Sequence, residues 1–178
     1  MTTAITPEAA ERAAAALPGD HRWEITPEGN LVLMSPANAR QAKIVMQLAA
    51  WFVRGGIDPV CVLSEVGIHT IAEGLRGPDL AVFNAEPEQD GPWASTDELA
   101  VVIEVFSPST RRTDEGDKVD EYARIGCPQY WTVEPLDNGD ALVVVRTLGA
   151  DRRYLAGRSV LLSELLTTDA NGWLTGGA

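Results

Sequence analysis

The sequence has few residues of the kinds that form disulfides or zinc sites. Its 178 residues include two cysteines, Cys61 and Cys127, and two histidines, His21 and His69. Two cysteines are too few for a disulfide framework, and neither residue type shows the spacing of zinc ligands. A zinc site would need all four side chains to converge, so we expect both cysteines to be reduced, buried thiols.

Long apolar runs and net positive charge are also absent. No stretch of 18 apolar residues occurs, and the first 20 residues are acidic and alanine-rich, with no basic region ahead of an apolar one. These features predict a cytoplasmic protein with no membrane partner. The formal net charge of −12 argues against sequence-independent electrostatic binding of nucleic acid, although an acidic protein can still carry a local basic patch.

Lysine is the scarce basic residue. Of the 14 basic side chains only two, Lys43 and Lys118, belong to lysine. Arginine therefore serves where a cation alone is sufficient. A lysine that persists against this bias is a candidate for a role that a bulkier, permanently charged guanidinium performs badly. Chance retention of two surface lysines is the alternative.

Hydrophobic periodicity predicts one α/β domain over residues 1–178. Helices are predicted at about 7–17, 39–54 and 114–125, with a short helical piece near 163–166. Hairpin turns are predicted at 27–30 and 137–140, and a polar loop at 84–97. The remaining apolar segments read as strands at 59–70, 76–83, 99–106, 129–135 and 140–148, and near 153–155. This order favours a mixed β-sheet flanked by helices.

Two predicted strands carry a carboxylate in apolar surroundings. Glu104 interrupts the run "LAVVIEVFSPST" at 99–110, and Asp79 opens the apolar segment in "PDLAVF". A buried carboxylate needs a compensating positive charge, and two carboxylates side by side on neighbouring strands would repel each other. A divalent cation resolves both problems. With no Cys or His cluster available, the oxygen ligands favour Mg²⁺ or Mn²⁺.

Lys118 follows Glu104 by 14 residues and lies on the helix predicted after that strand. A strand, a tight link and one helical turn can return its ammonium group to the end of the sheet. There it could activate a metal-bound water or stabilise the transition state of phosphoryl transfer. A simple ion pair with Glu104, or a solvated lysine, explains the same spacing, and both interpretations stay open.

These segments resemble a known family. "RGPDLAVF", followed by "VVIEVFSPSTRRTDEGDKVDEYARIGCPQYWTVEP", is similar to the bacterial Uma-two family of restriction-endonuclease-like proteins, a branch of the PD-(D/E)XK nuclease superfamily. The similarity runs from about residue 31 to the strand after Asn138. Its most specific part is the combination of Glu104, Ser107-Pro108-Ser109, Asp114, Lys118, Tyr122, Gly126 and Tyr130-Trp131.

The resemblance implies a restriction-endonuclease-like core and assigns roles to three side chains. Asp79 corresponds to the acid of the first half-motif and Glu104 to the acid of the second, with the carbonyl of Val105 as a further metal ligand. The superfamily pattern has its lysine two residues after the second acid, where this chain has Phe106. Lys118, on the following helix, is then the stand-in for that lysine.

Two further positions follow from the same resemblance. Glu65 matches a position that is often acidic, which makes it a third metal ligand or an outer partner of the site; a polar residue on an exposed strand face is the alternative. Near the start of the helix at 39–54, many relatives carry a histidine where this chain has Gln41. No catalytic role is therefore expected at that position.

The leading hypothesis is a Mg²⁺- or Mn²⁺-dependent endonuclease that hydrolyses phosphodiester bonds, with DNA as the expected substrate and catalysis by Asp79, Glu104 and Lys118. A homodimer is expected from the superfamily, because two sites conveniently cut two strands. The alternative is a catalytically silent binding or assembly protein with a nuclease fold, against which the joint retention of all three residues argues. The form of the nucleic acid and any sequence specificity stay open.

Overall fold

The computed structural model describes residues 5–16, 22–34, 36–70, 74–90, 93–106 and 116–174. They form an α/β fold with two six-stranded mixed sheets flanked by helices. The helices are α1 (Pro7–Ala15), α2 (Ala39–Arg54), α3 (Asp117–Ile125), α4 (Leu162–Leu165) and α5 (Ala170–Leu174), with a 3₁₀ turn at Pro59–Cys61.

The larger part of the core is built on one sheet, here called the main sheet. From edge to edge it consists of β12 (Arg158–Leu161), β11 (Ala141–Thr147), β10 (Gln129–Pro135), β9 (Leu99–Val105), β6 (Leu80–Phe83) and β3 (Val62–Ser64). The other, the small sheet, consists of β2 (Leu31–Met34), β1 (Arg22–Ile25), β5 (Leu75–Arg76), β4 (Gly67–His69), β8 (Trp93–Ala94) and β7 (Gln89–Asp90).

β9 lies in the middle of the main sheet and is covered on both faces. It pairs in parallel with β10 and antiparallel with β6, so Leu80 is opposite Ile103. All seven of its residues are buried, which explains the nearly continuous apolar run. The prediction that the strands bearing Asp79 and Glu104 are neighbours in a mixed sheet is confirmed.

One face of the main sheet packs against α2 and is called the α2 face. The helix begins with a capping box. The Asn38 side chain accepts from the backbone N–H of Gln41, and the Gln41 side chain accepts from the backbone N–H of Asn38. Its apolar stripe ends in Trp51 and Phe52, which contact Trp131 of β10 with ring centroids 6.2 and 5.7 Å away. This face is a continuous apolar core.

The opposite face, called the α3 face, is covered by α3 and by part of the small sheet. Val102 of β9 packs here with Tyr122 of α3 and Ile68 of β4. Because side chains alternate along a strand, Glu104 lies on the same face as Val102. The α3 face therefore receives the carboxylate that interrupts the apolar strand.

Most predicted elements are present, with the helices at 39–54 and 114–125 observed at Ala39–Arg54 and Asp117–Ile125. The hairpins at 27–30 and 137–140 are likewise confirmed. The last helical piece is α4, Leu162–Leu165, and the helix at 7–17 spans Pro7–Ala15, beginning at the cap Thr6. The linker at 107–115 lies outside the described residues, as does His21.

Three predictions about strands were wrong. The polar loop at 84–97 contains β7 and β8, because β8 pairs in parallel with β4 and Trp93 packs directly on Gly67. The last strand is β12 rather than 153–155, where Tyr154 makes a single bridge to Leu148. The segment 59–70 is divided between the two sheets as β3 and β4. In each case pairing with a distant strand, not local periodicity, decides the outcome.

The longest helix of the described residues, α2, has 16 residues, and none of the helices in these ranges combines the length and apolarity needed to span a bilayer. Cys61 and Cys127 are both free and buried, as predicted. Burial raises the pKa of the Cys127 thiol to about 12, although the backbone of Gln129 and the Tyr154 hydroxyl oppose this shift.

Candidate active site

Asp79 and Glu104 lie at the same end of neighbouring strands. Asp79 comes directly before β6, and Glu104 is the sixth residue of β9, one position beyond the Leu80–Ile103 pair. The Val105 amide donates to Asp79 Oδ2 at 2.7 Å, which fixes the carboxylate against β9. Both acids are buried, with relative exposures of 9% and 3%. The two carboxylates predicted from the sequence are thus brought to one place.

The charge that compensates Glu104 is Lys118. Its Nζ donates to Glu104 Oε1 at 2.9 Å, and the Tyr122 hydroxyl donates to the same oxygen at 3.1 Å. Lys118 and Tyr122 are four residues apart on α3, so one face of the helix presents both donors. Burial and the Glu104 carboxylate raise the pKa of Tyr122 well above its ordinary value, so its hydroxyl keeps the proton that it donates.

Lys118 has a second carboxylate partner that the sequence did not single out. Glu24 Oε1, from β1 of the small sheet, lies 3.2 Å from Lys118 Nζ. Burial opposes ionisation of Glu24, but Lys118 and Arg76 together hold the pKa of this carboxyl below its ordinary value. The ammonium group is therefore held between one carboxylate from each sheet.

The ionic contacts continue through Arg76 to Glu121. Arg76 NH1 donates to Glu24 Oε2 at 2.9 Å, and its Nε donates to Glu121 Oε2 at 2.9 Å. Thr70 also donates to Glu121 Oε2, at 3.1 Å. We call Glu24, Arg76, Lys118, Glu104 and Glu121 the buried ionic cluster, since each of them is at most 3% exposed.

Asp79 has a cation of its own in Arg22. Arg22 NH1 donates to Asp79 Oδ1 at 3.1 Å and lies 3.5 Å from Glu65 Oε1. Burial works against the charged guanidinium, but the Asp79 carboxylate raises the pKa of Arg22 above its ordinary value. The Glu65 side chain is 55% exposed, and its residue has a positive φ of 55° just after β3. Glu65 thus reaches the site through Arg22.

The Val105 carbonyl, a ligand implied by the resemblance, accepts a hydrogen bond from Gln41 Nε2 at 3.2 Å. Gln41 is the residue that this chain has at the position where the resemblance indicates a histidine in many relatives. Its side chain joins the start of α2 to the end of β9, because Oε1 caps the helix while Nε2 reaches Val105. Gln41 therefore contacts the carbonyl directly.

The donor set at this place suits a hard divalent cation. Two carboxylates and a main-chain carbonyl are ligands that Mg²⁺ and Mn²⁺ accept, with water completing the coordination. Among the described residues no group of three or more His, Cys, Asp or Glu side chains is arranged to hold a metal ion. Ligation by Asp79, Glu104 and Val105 stays a prediction, as does direct ligation by Glu65.

The residues that the sequence did not assign to the site are Arg22, Glu24, Arg76 and Glu121. Arg22 and Glu24 alternate with Trp23 and Ile25, a pattern that places both charges on one face of a strand. Glu121 follows Lys118 by three residues on a predicted helix, which is also a signal of proximity. The contacts with Arg76 required knowledge of how the two sheets meet.

The structure also gives the surroundings of other residues that the sequence analysis names. Tyr130 and Trp131 are fully buried in the two cores and are not available to stack on a base. Lys43 is exposed on α2. His69 packs against Trp93, with ring centroids 5.9 Å apart.

The fold is also found in a solved structure from Anabaena variabilis ATCC 29413, described as "a putative nuclease belonging to DUF820". The two structures match with a TM-score of 0.59 over 85% of this chain and 82% of that chain, at 14% sequence identity. At this identity the likeness establishes the fold alone. The protein therefore has a restriction-endonuclease-like α/β fold.

The chain belongs to the Uma2 (Uma-two) family, described as "Putative restriction endonuclease", whose sequence model matches residues 8–169. Family and fold together indicate a nuclease. Among curated proteins no match was found.

Proposed function

We propose that this protein is a Mg²⁺- or Mn²⁺-dependent nuclease that hydrolyses phosphodiester bonds in DNA at the site formed by Asp79, Glu104 and Lys118. The observation that supports this most is the convergence of two acids from neighbouring strands with a buried lysine from α3. Lys118 Nζ lies 2.9 Å from Glu104, and Asp79 is bonded to the amide of the next residue, Val105. The family supplies the class of reaction.

The three side chains divide two tasks between them. Asp79 and Glu104 provide the carboxylate oxygens that would hold the cation, while the Val105 amide and Tyr122 hydroxyl keep these carboxylates oriented. When bound, the cation supplies Lewis-acid polarisation of the phosphate and lowers the pKa of a water molecule. Lys118 carries three N–H donors and stabilises the negative charge that develops on the phosphate, or orients the attacking water.

A second candidate function is a binding or assembly protein that keeps the nuclease fold without cleavage. The observation that favours it is that both acids already have cations within the chain, Arg22 for Asp79 and Lys118 for Glu104. A divalent cation would have to share Asp79 with Arg22. In this second function the four side chains would be a purely structural set of ion pairs.

The first experiment measures cleavage of supercoiled plasmid, single-stranded DNA and RNA with Mn²⁺ or Mg²⁺. Asp79→Asn keeps the size and the acceptor oxygen but removes the charge, so we expect it to lower cleavage by roughly 10²-fold or more. The matched control is Asp97→Asn, because Asp97 is an exposed aspartate before β9. Equal activity of Asp79→Asn and the wild type would contradict the assigned site, and cleavage of RNA alone would contradict DNA as the substrate.

The second experiment measures the melting temperature with and without Mn²⁺. A cation that binds only the folded protein stabilises it by mass action, so the wild type should melt at a higher temperature with Mn²⁺. Asp79→Asn and Glu104→Gln should each abolish that increment. An unchanged increment in both variants would contradict the metal site. Normal Mn²⁺ binding without cleavage of any nucleic acid would instead favour the second function.

The homodimer stays a prediction, which a measurement of molar mass by light scattering checks.

A further inference from the structure

Glu24 makes contacts that link both parts of the proposed site. Its side chain is 1% exposed and contacts Gly77, Arg76 and Lys118. Oε1 accepts from the Gly77 amide at 3.1 Å and lies 3.2 Å from Lys118 Nζ, while Oε2 accepts from Arg76 at 2.9 Å. One buried carboxylate thus contacts the lysine and the turn that leads to Asp79.

Both backbone polar groups of Gly77, its N–H and its carbonyl, bond to side chains of one strand, β1. The Glu24 carboxylate accepts from the Gly77 N–H, and Arg22 Nη2 donates to the Gly77 carbonyl at 2.6 Å. Arg22 and Glu24 are two residues apart on β1 and therefore share a face. Gly77 precedes Asp79 by two residues, and Arg22 also donates to Asp79. The strand β1 thereby fixes the backbone from which Asp79 projects.

The position of the Lys118 ammonium group also depends on Glu24. A lysine side chain has four rotatable carbon–carbon bonds and loses rotamer entropy when it is fixed. Glu104 lies 2.9 Å from Lys118 on one side and Glu24 lies 3.2 Å from it on the other. Two acceptors from different sheets restrict the position of the ammonium group more than Glu104 alone does.

We propose that Glu24 is a positioning residue, which holds the Lys118 ammonium group and the Gly77–Asp79 turn in one fixed arrangement. Its effect on catalysis rests on the proposed nuclease function, but its effect on Lys118 does not. The competing explanation is that Glu24 only braces the small sheet against α3. Buried ion pairs are weak sources of stability, because desolvation offsets most of the Coulombic gain, so bracing alone is a poor reason for five buried charges.

The placement of Lys118 can be measured without any activity. The chain has only two lysines, so selective isotope labelling of lysine gives two side-chain NMR signals, of which the one from exposed Lys43 serves as an internal reference. In the wild type we expect the Lys118 ammonium protons to exchange slowly and to be visible. Glu24→Gln keeps an acceptor for Gly77 but removes the charge, and should shift and broaden the Lys118 signal.

The matched control is Glu121→Gln, which makes the same chemical change in the same buried ionic cluster. Glu121 contacts Arg76 and Thr70, and so its loss should leave the Lys118 signal in place. Should Glu24→Gln fail to fold, Glu24→Asp retracts the charge by one methylene group and should give the same change. A Lys118 signal that is identical in the wild type and the Glu24 variant would overturn the proposal.

Kinetics then test whether the placement matters for cleavage. We expect Glu24→Gln to lower kcat by roughly 10- to 100-fold, with KM and Mn²⁺ affinity unchanged. In a Lys118→Met background the same substitution should have no further effect on kcat, since the glutamine still accepts from the Gly77 amide and the lost charge acts through Lys118. Equal losses in Glu121→Gln, or additive losses with Lys118→Met, would overturn the proposal in favour of a brace. A wild type that cleaves nothing contradicts the nuclease function, and the NMR result still decides the placement.

Discussion

The two faces of the main sheet are covered by different kinds of contact. On the α2 face, Trp51, Phe52 and Trp131 pack in an apolar core without buried charges among its members. On the α3 face, an apolar cluster around Tyr122 and Tyr130 is continuous with the buried ionic cluster. The first face is explained mainly by the hydrophobic effect, with hydrogen bonds that satisfy its buried Gln129, whereas the second is not.

This difference separates stability from function. Two apolar surfaces that pack together, as on the α2 face, stabilise the fold because they leave water. Charges such as those of Arg76 and Glu121 lose their hydration on burial, and their mutual attraction roughly repays that loss. A fold that needed only stability could have covered the α3 face with apolar side chains. The ionic cluster instead lies beside Asp79, where the proposed function needs a lysine and two carboxylates in fixed positions.

The largest expected effect on stability comes from breaking the ionic cluster. Arg76→Met leaves Glu24 and Glu121 buried without their shared cation, which should lower the free energy of unfolding by about 3–5 kcal/mol. Urea unfolding measures this. The control, Arg12→Met on the exposed part of α1, should stay within about 0.5 kcal/mol.

The comparison becomes sharper when the two carboxylates that Arg76→Met leaves without a cation are neutralised as well. Glu24→Gln and Glu121→Gln, added to Arg76→Met, should recover part of the lost stability, because neutral amides cost less to bury than carboxylates. If the triple variant were less stable than Arg76→Met, the cost would come from lost packing and not from uncompensated charge. The two faces would then differ less than their composition indicates.

A somewhat smaller loss is expected on the α2 face. Leu48 is fully buried against the main sheet, so Leu48→Ala should cost about 2–5 kcal/mol through lost transfer free energy and the cavity that remains. The control is Met46→Ala, since Met46 is 66% exposed on the same helix. We expect the Leu48 loss to be the same at neutral and at mildly acidic pH. A marked pH dependence would show that the two faces are coupled.

The sequence predicted the α2 face far better than the α3 face. The periodicity of α2 and the apolar run of β9 mark elements that are buried by their own pattern. The helix that carries Lys118 ends at Ile125, as predicted, with Gly126 as its cap. Asp79, Glu104 and Lys118 were found because each breaks a local regularity. Their contact with one another depended on strand pairing that no short segment contains.

Arg76 and Glu24 illustrate why the remainder could not be predicted. Arg76 lies in a two-residue strand beside a turn, where local patterns carry little information. Glu24 lies in a hairpin strand whose polar face would ordinarily be exposed to solvent. The interior of the fold covers that face with α3. Only the meeting of two sheets and a helix turns these ordinary surface residues into parts of a site.

The last prediction concerns how stability changes with pH. Lys118 and Arg76 hold the pKa of Glu24 below its ordinary value of 4.5, against the opposing effect of burial. The unfolded state therefore binds more protons than the folded state in the range just below that value, and the stabilisation by Glu24 is complete only above it. As pH falls through the folded pKa this stabilisation is lost. The free energy of unfolding should thus decrease on acidification, and Glu24→Gln should flatten the decrease.

Urea unfolding at several pH values between about 3 and 7 measures this slope. Other carboxyls with lowered pKa values, such as those of Glu8 and Asp140, contribute to the slope in both proteins and do not affect their difference. Glu98→Gln is the control, because Glu98 is exposed and lies directly before β9. A slope that Glu24→Gln leaves unchanged would mean that Glu24 carries no more charge folded than unfolded. The ionic character of the α3 face would then have to rest on Glu104 and Glu121 alone.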